Sequence, residues 1–524
     1  MTTAIASEPV VVPVPTHWLR DGISGLLSAA LALGVSEFVA GAVATLPSIV
    51  ESLGNWVIDV VPKPLKDFAI ETFGTNDKLV LAISIVFVTL ILGFVVGVVA
   101  RKRFWIAIAV FIGFAVLGAL AGASSTGVSL GLALIPSGVA ALAGLASLQW
   151  LYSLSESAAP GETSGSRRAF LVGAGAVLGL AAISAAFGRS LIERGKVVAA
   201  GRAEVVLPAA VDPVVPVPAA AEFGIPELTP VVVSNQDFYR IDTAFTLPRI
   251  NLPEWRLKVG GRVDNPYKID FDELLGMDMV ERYVTLSCVS NQVGGDLIGN
   301  AKWLGVPLID ILNRAGVRDD AEQLVGRSVE SDGFTVGFPV EVAMDGRDAL
   351  VAVGMNGEPL PIEHGFPARL VVPGLYGYVS ATKWLAEIEL TGWDEFDAYW
   401  VPRGWSKEAP IKTQSRIDTP TRGANIDSGE RIVAGVAWAP HRGISMVEVQ
   451  LGQNSEWTRA ELSEPLSEDT WVQWQVPWTP EPGRQLLTVR ATDGNGDTQT
   501  DELAPPAPNG ATGYHMIGVN VSAA

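Results

Sequence analysis

The chain has 524 residues, more than one hydrophobic core organises, and carries a net charge of −19 from 56 acidic against 37 basic residues. Residues 1–221 hold 13 of each sign, so the whole acidic excess falls in residues 222–524. An acidic surface excludes nucleic acid as a partner, and the single cysteine, Cys288, excludes an intrachain disulfide.

Taken from the N-terminus, residues 1–204 read as a membrane region. A bilayer core of about 30 Å needs about 20 apolar helical residues, because hydrocarbon cannot satisfy backbone polar groups. Leu79–Ala100, Phe104–Ala123, Val128–Leu151 and Ala169–Phe187 carry no charge, and Gly22–Leu46 carries only Glu37. Five spans are predicted. Glu37 lies near the outer end of its span and is read as snorkelling to water. The cluster Arg101-Lys102-Arg103 is placed on the cytoplasmic side, since Lys and Arg resist translocation. That puts the N-terminus and Arg167-Arg168 inside, the acidic 51–78 loop outside, and the C-terminal half outside.

Ser166-Arg167-Arg168-Ala169-Phe170-Leu171, before a Gly/Ala-rich span, resembles a twin-arginine export motif, which would carry a folded, cofactor-loaded domain across the membrane. It also reads as an ordinary positive-inside flank. No Ala-x-Ala site closes the run near Phe187, so the span is expected to stay as an anchor. Gly173, Gly175 and Gly179 lie inside the apolar run with no strand before them, so they read as helix packing rather than a nucleotide loop. Of four histidines only His17 is near a span, which argues against haem in the bundle.

From 205 to 233, prolines at 208, 213, 216, 218, 226 and 230 prevent helix and sheet from persisting, so a semi-extended spacer is expected. Residues 234–405 mix strand and helix signals, an α+β pattern. Arg256–Val259 and Val284–Ser287 alternate like strands, and Pro307–Ala315 reads as a short helix stopped by Gly316. Residues 406–524 hold evenly spaced strands at Arg431–Trp438, Met446–Leu451, Trp471–Val476, Gln485–Ala491 and Met516–Val521. An all-β immunoglobulin-like sandwich is the economical fold.

Three stretches of the α+β region resemble the molybdenum-cofactor domain of the sulfite oxidase family. They are Asn235–Arg240; Val284–Cys288 with Ile298–Val306; and Met355–Pro361 with His364–Gly374 and Thr382–Trp384. The resemblance covers about Asn235 to Leu390. More weakly, residues 406–524 resemble the family's dimerisation domain, which implies a homodimer through it. It implies a molybdopterin cofactor whose molybdenum is bound by the Cys288 thiolate, a soft ligand suited to that metal. It further implies that His364, Arg369 and Lys383 contact the anionic tail. Asn235, Tyr239 and Arg240 fall on a cofactor-facing turn, and Ser331, Ala381 and Thr382 match polar or backbone contacts. Read without the resemblance, Cys288 is a buried small side chain, and His364 with Arg369 is a surface turn beside a strand charge.

Gln292 stands where animal and plant sulfite oxidases place an oxyanion-holding arginine, and Phe334 where they place a tyrosine. Arg240 then remains as a cationic contact for substrate. The expected activity is oxygen-atom transfer on a small molecule outside the cytoplasmic membrane, with sulfite itself in doubt. Electrons would pass through an external partner, a cytochrome or quinone-linked subunit. Two alternatives stay open: a reductase of S- or N-oxides such as methionine sulfoxide, and a non-catalytic anchored binding protein of the same fold.

Overall fold

The structure, a computed structural model, describes residues 17–42, 48–62, 65, 68–69, 72–73, 77–123, 130–156, 163–244, 247–248, 250–330 and 333–523. It divides into two compact units: residues 1–197 with 244–246, and residues 198–243 with 247–524.

The first unit is helical: α1 (His17–Ala42), α2 (Ile49–Val60), α3 (Asp77–Ala100), α4 (Trp105–Ala123), α5 (Leu130–Glu156) and α6 (Thr163–Ala200). All but α2 are long and apolar enough to cross a membrane, which makes five such helices among the described residues. Large apolar side chains such as Phe87, Leu142 and Leu171 are exposed on these helices. Small residues let backbones touch: a Cβ on Gly25 of α1 would overlap Gly93 of α3, and one on Gly34 would overlap Ala181 of α6. Gly173 packs on Leu154, whereas Gly175 and Gly179 face open space, so only one of those three glycines serves helix contact. Three helix ends converge through polar contacts. Arg101 after α3 pairs with Asp21 of α1 at 3.9 Å and stacks on Tyr152 of α5 at 4.8 Å. Helix α2 falls in the expected outer loop, capped by Ser48 accepting from the Glu51 N–H at 3.1 Å.

The second unit holds four sheets. In the α+β part, one sheet is built from β3 (Val280–Ser287), β4 (Ile298–Pro307), β7 (Leu350–Met355) and β8 (Glu358–Pro359), with β9 (Arg369–Val371) also on β7. The other runs β2 (Tyr267–Ile269), β1 (Leu257–Gly261), β10 (Leu385–Thr391), β5 (Gln323–Ser328), β6 (Thr335–Pro339). Strand β7, Leu-Val-Ala-Val-Gly-Met, is buried at every position, so it reads as a continuous apolar run rather than an alternation. Trp303 and Trp384 are completely buried, and each such ring contributes roughly 4–6 kcal/mol at about 25 cal/mol per Å².

Two further sheets share a single core. They are β11 (Gln414–Thr419), β13 (Arg431–Trp438), β17 (Val472–Trp478), β16 (Glu461–Leu462), and β12 (Asn425–Asp427), β19 (His515–Ser522), β18 (Gly483–Asp493), β14 (Ile444–Leu451), β15 (Trp457–Arg459). Val433, Val447, Trp474, Val489 and Val519 interlock between them as a two-sheet sandwich.

The proline-rich segment is extended, as its composition demands, but it is laid along this unit as a strap. Val211 N–H donates to Met279 O at 2.8 Å, Phe223 N–H to Gln473 Oε1 at 2.8 Å and Val233 N–H to Asn300 O at 2.9 Å. The few donors that proline leaves are spent on neighbours. Val231 O accepts from both Asn300 Nδ2 and the Trp471 indole, so the strap joins the α+β part to the sandwich.

Candidate active site

Antiparallel pairing carries β3 against β4 from Val280↔Gly305 to Ser287↔Ile298, and the strand ends one residue before Cys288. Cys288 N–H donates to Leu297 O at 2.9 Å, which fixes the backbone as the chain leaves the sheet. The thiol is buried and lines a cleft it shares with Tyr239, His364, Arg369 and Lys383. Burial pushes the thiol pKa up, while hydrogen bonds from Ser290 and the charge of Lys383 oppose this.

A second set of polar groups enters from the turn before β9. Gly365 has φ of +111°, open to glycine at little cost, and a Cβ there would sit 3.1 Å from both Lys383 Cα and Arg369 Cβ. This close approach gathers His364, Arg369 and Lys383. His364 Nε2 lies 2.8 Å from Asn235 O, and since a carbonyl only accepts, Nε2 carries the proton. Burial, with help from Arg369 and Lys383, lowers the imidazole to about 4, so Nδ1 is a free acceptor at neutral pH.

Arg369 is buried on β9, donates from Nη1 to His364 O at 3.1 Å and stacks on Trp303 at 5.0 Å. Desolvation lowers it to about 10, the mark of a cation held without full compensation. Lys383 donates to Asp242 Oδ2 at 2.9 Å and to Glu363 O at 3.1 Å, and burial lowers its pKa while Asp242 opposes. Tyr239 lines the same cleft. Burial first, then Cys288, holds its phenol protonated and able to donate.

This donor set suits a phosphorylated pterin bound through a metal: buried cations for the phosphate, an imidazole acceptor and a phenol donor for ring edges, and a thiol as metal ligand. Among the described residues no cluster of three or more His, Cys, Asp or Glu could hold a metal alone. The metal would therefore have to arrive with its own ligands.

Of the residues singled out from sequence, Tyr239, Cys288, His364, Arg369, Ala381 and Lys383 line this one cleft. Three do not. Asn235 donates from Nδ2 to Met355 O and Glu358 Oε1 and accepts from Asn356, so its side chain braces a turn while its carbonyl orients His364. Arg240 is turned outward, 46 % exposed, and pairs with Asp242 at 2.9 Å. The Thr382 side chain is buried against Gly326 in the β5 region. Ser331 lies outside the described residues. Gln292 is exposed, whereas Phe334 lines the cleft.

Sequence reasoning missed Asp242, Thr243, Glu330, Tyr378, Trp400 and Trp405, all of which line it. Thr243 Oγ1 donates to Glu330 Oε2 at 3.1 Å, and Tyr378, Trp405 and Trp400 form a chain of rings at 5.7 and 6.3 Å. The available signal was the aromatic run Tyr399-Trp400 and Trp405 at the end of the α+β region.

Residues 244–400 match the oxidoreductase molybdopterin binding domain. Mitochondrial sulfite oxidase of Rattus norvegicus is 28% identical over 305 residues, covering 49% of this chain and 56% of that protein. The chain thus spans little more than half the length of that relative. The uncharacterized oxidoreductase YuiH of Bacillus subtilis is 34% identical over 155 residues, 30% of this chain and 74% of that protein. Among solved structures, the sulfane dehydrogenase SoxCD from Paracoccus pantotrophus aligns with a TM-score of 0.49 at 22% identity, covering 56% of this chain and 82% of that one.

Proposed function

We propose, since the chain belongs to the sulfite oxidase family of molybdopterin-binding oxidoreductases, that it is a membrane-anchored enzyme of oxygen-atom transfer. The observation that carries this reading is one cleft uniting the only thiol of the chain with a buried imidazole, guanidinium and ammonium. The cofactor, when bound, supplies two-electron exchange of an oxygen atom with the substrate, and Cys288 ligates its molybdenum.

The chain supplies the rest. Arg369 and Lys383 hold the phosphate, and binding an anion there relieves the desolvated charge on Arg369. His364, fixed in one tautomer by Asn235 O, presents Nδ1 to a ring N–H. Tyr239 offers its phenolic proton from beside Cys288.

An aromatic wall of Phe334, Tyr378, Trp400 and Trp405 favours an uncharged organic S- or N-oxide over sulfite. A small dianion needs cations to offset its desolvation, and Gln292 is exposed while Arg240 is turned outward onto Asp242. The finer topology belongs to the same proposal: five spans, catalytic half outside the cytoplasm, and electrons exchanged with a cytochrome or quinone-linked subunit. The sandwich, read as immunoglobulin-like, would serve as a homodimer contact.

Purified full-length protein should contain molybdenum and reduce methionine sulfoxide with an artificial electron donor. Trp405→Ala should raise KM for the sulfoxide by about tenfold with kcat less affected. Comparable kcat/KM for sulfite with an artificial acceptor would overturn the substrate assignment. Absence of molybdenum and of both activities would leave an anchored binding protein.

A further inference from the structure

We infer that Arg416, on the C-terminal sandwich, is a positioning residue for Cys288, an inference that rests on the proposed role of Cys288 as metal ligand. The thiol sits at the start of a loop that returns to the sheet at Ile298. Local bonds close that loop: Asn291 N–H donates to Cys288 O at 3.1 Å, and Leu297 N–H to Asn291 Oδ1 at 3.0 Å. Its far side is gripped by the sandwich. Arg416 Nη1 donates to Gly295 O at 2.8 Å, Nη2 to Thr229 Oγ1 at 2.7 Å, and Nε to Asp418 Oδ1 at 2.6 Å.

Arg416 and Asp418 stand two residues apart on β11, where the register shifts between Ile417 and Thr419, and their side chains meet directly in the Nε–Oδ1 hydrogen bond. Their side chains are only 10% and 6% exposed, and Asp418 Oδ2 also accepts from Thr229 N–H at 3.1 Å. A planar guanidinium with three fixed acceptors has little freedom, so strap, sandwich and cysteine loop are locked in one geometry. Asp418 already neutralises the charge. The arm reaching Gly295 O therefore serves position rather than compensation. Beside it Gly294, at φ of +77°, lies flat on the His515 ring, where any side chain would collide.

A metal-ligating thiol must be held within about 0.5 Å of its productive place, and a loop does not achieve this unaided. The clasp on Gly295 O supplies the missing restraint, from a strand of the sandwich.

Cys288 is the only cysteine, so its alkylation can be timed without ambiguity in the cofactor-free full chain. Arg416→Gln should accelerate iodoacetamide labelling about tenfold or more, by freeing the loop to open. Arg416→Lys, which retains a cationic donor, should fall between the two. Trp474→Phe, a lesion in the sandwich core that removes none of the Arg416 hydrogen bonds, should label at the wild-type rate. In the cofactor-loaded protein, Arg416→Gln should also alter the Mo(V) paramagnetic resonance spectrum. Labelling of Arg416→Gln within twofold of wild type, or equal acceleration in Trp474→Phe, would overturn the inference. The metal-ligand reading fails separately, if Cys288→Ser gives an unchanged molybdenum spectrum.

Discussion

Replacing Arg369 by methionine should separate the stability of the protein from its hold on the cofactor. The guanidinium is 5% exposed and its pKa is lowered from 12.5 to about 10 by burial. At 1.36 kcal/mol per unit, keeping this charge in the cleft costs about 3 kcal/mol. Against that cost stand its bond to His364 O at 3.1 Å, of order 1.5–3 kcal/mol, and stacking on Trp303 at 5.0 Å, of order 1 kcal/mol. The terms nearly cancel. Methionine has similar length and no charge, so cofactor-free Arg369→Met should unfold within about 1 kcal/mol of wild type. Cofactor retention should fall by 2–5 kcal/mol, about 30-fold or more, because a buried phosphate loses its partner. Urea melts of cofactor-free protein and pterin content after dialysis read the two quantities. A large stability loss with unchanged retention would refute the reasoning.

Acid should destabilise the second unit between pH about 6.5 and about 4. His364 and His515 are both lowered from 6.5 to about 4, chiefly by burial, so the unfolded chain binds their protons first and stability falls with pH. Asp469, raised from 3.8 to about 6 by burial, works in the opposite direction, leaving a net slope near one proton, about 1.4 kcal/mol per pH unit. His515→Gln should flatten thermal melts taken across this range. Trp471→Phe should cost about 1–2 kcal/mol more than Trp474→Phe in urea melts. The Trp471 indole donates to Val231 O at 2.9 Å, whereas the buried Trp474 N–H has no hydrogen-bond partner among the described residues. Gly365→Ala should cost at least about 1 kcal/mol and weaken cofactor retention, since φ of +111° strains an alanine and a methyl 3.1 Å from Lys383 Cα and Arg369 Cβ would push both aside.

The long apolar helices were legible because uncharged runs of this length sustain little else than helix. Predicted Leu79–Ala100 and Phe104–Ala123 meet helices at Asp77–Ala100 and Trp105–Ala123. Alternation marked the long sandwich strands, and Arg431–Trp438 coincides with β13. Short strands such as Asn425–Asp427 and Glu461–Leu462 carry too few residues to show a period.

At the site, the compact segment from His364 to Lys383 delivered its charged residues to one cleft because a tight glycine turn and β9 place them together. Asn235 and Arg240 belong to a turn that borders the cleft, yet their side chains bond elsewhere, to Glu358 and Asp242, which sequence spacing does not reveal. Asp242, Glu330, Trp400 and Trp405 reach the cleft from separate segments, a convergence that spacing does not encode. The proline-rich segment is extended as expected, while its bonds to Met279, Gln473 and Asn300 were not legible because composition predicts an extended chain but not what it lies upon.

X-ray absorption at the molybdenum edge, on full-length protein beside Cys288→Ser, tests the central claim most directly. The account predicts a metal bound in both, with one sulfur neighbour fewer in the serine variant. Identical sulfur coordination in the two proteins would contradict it.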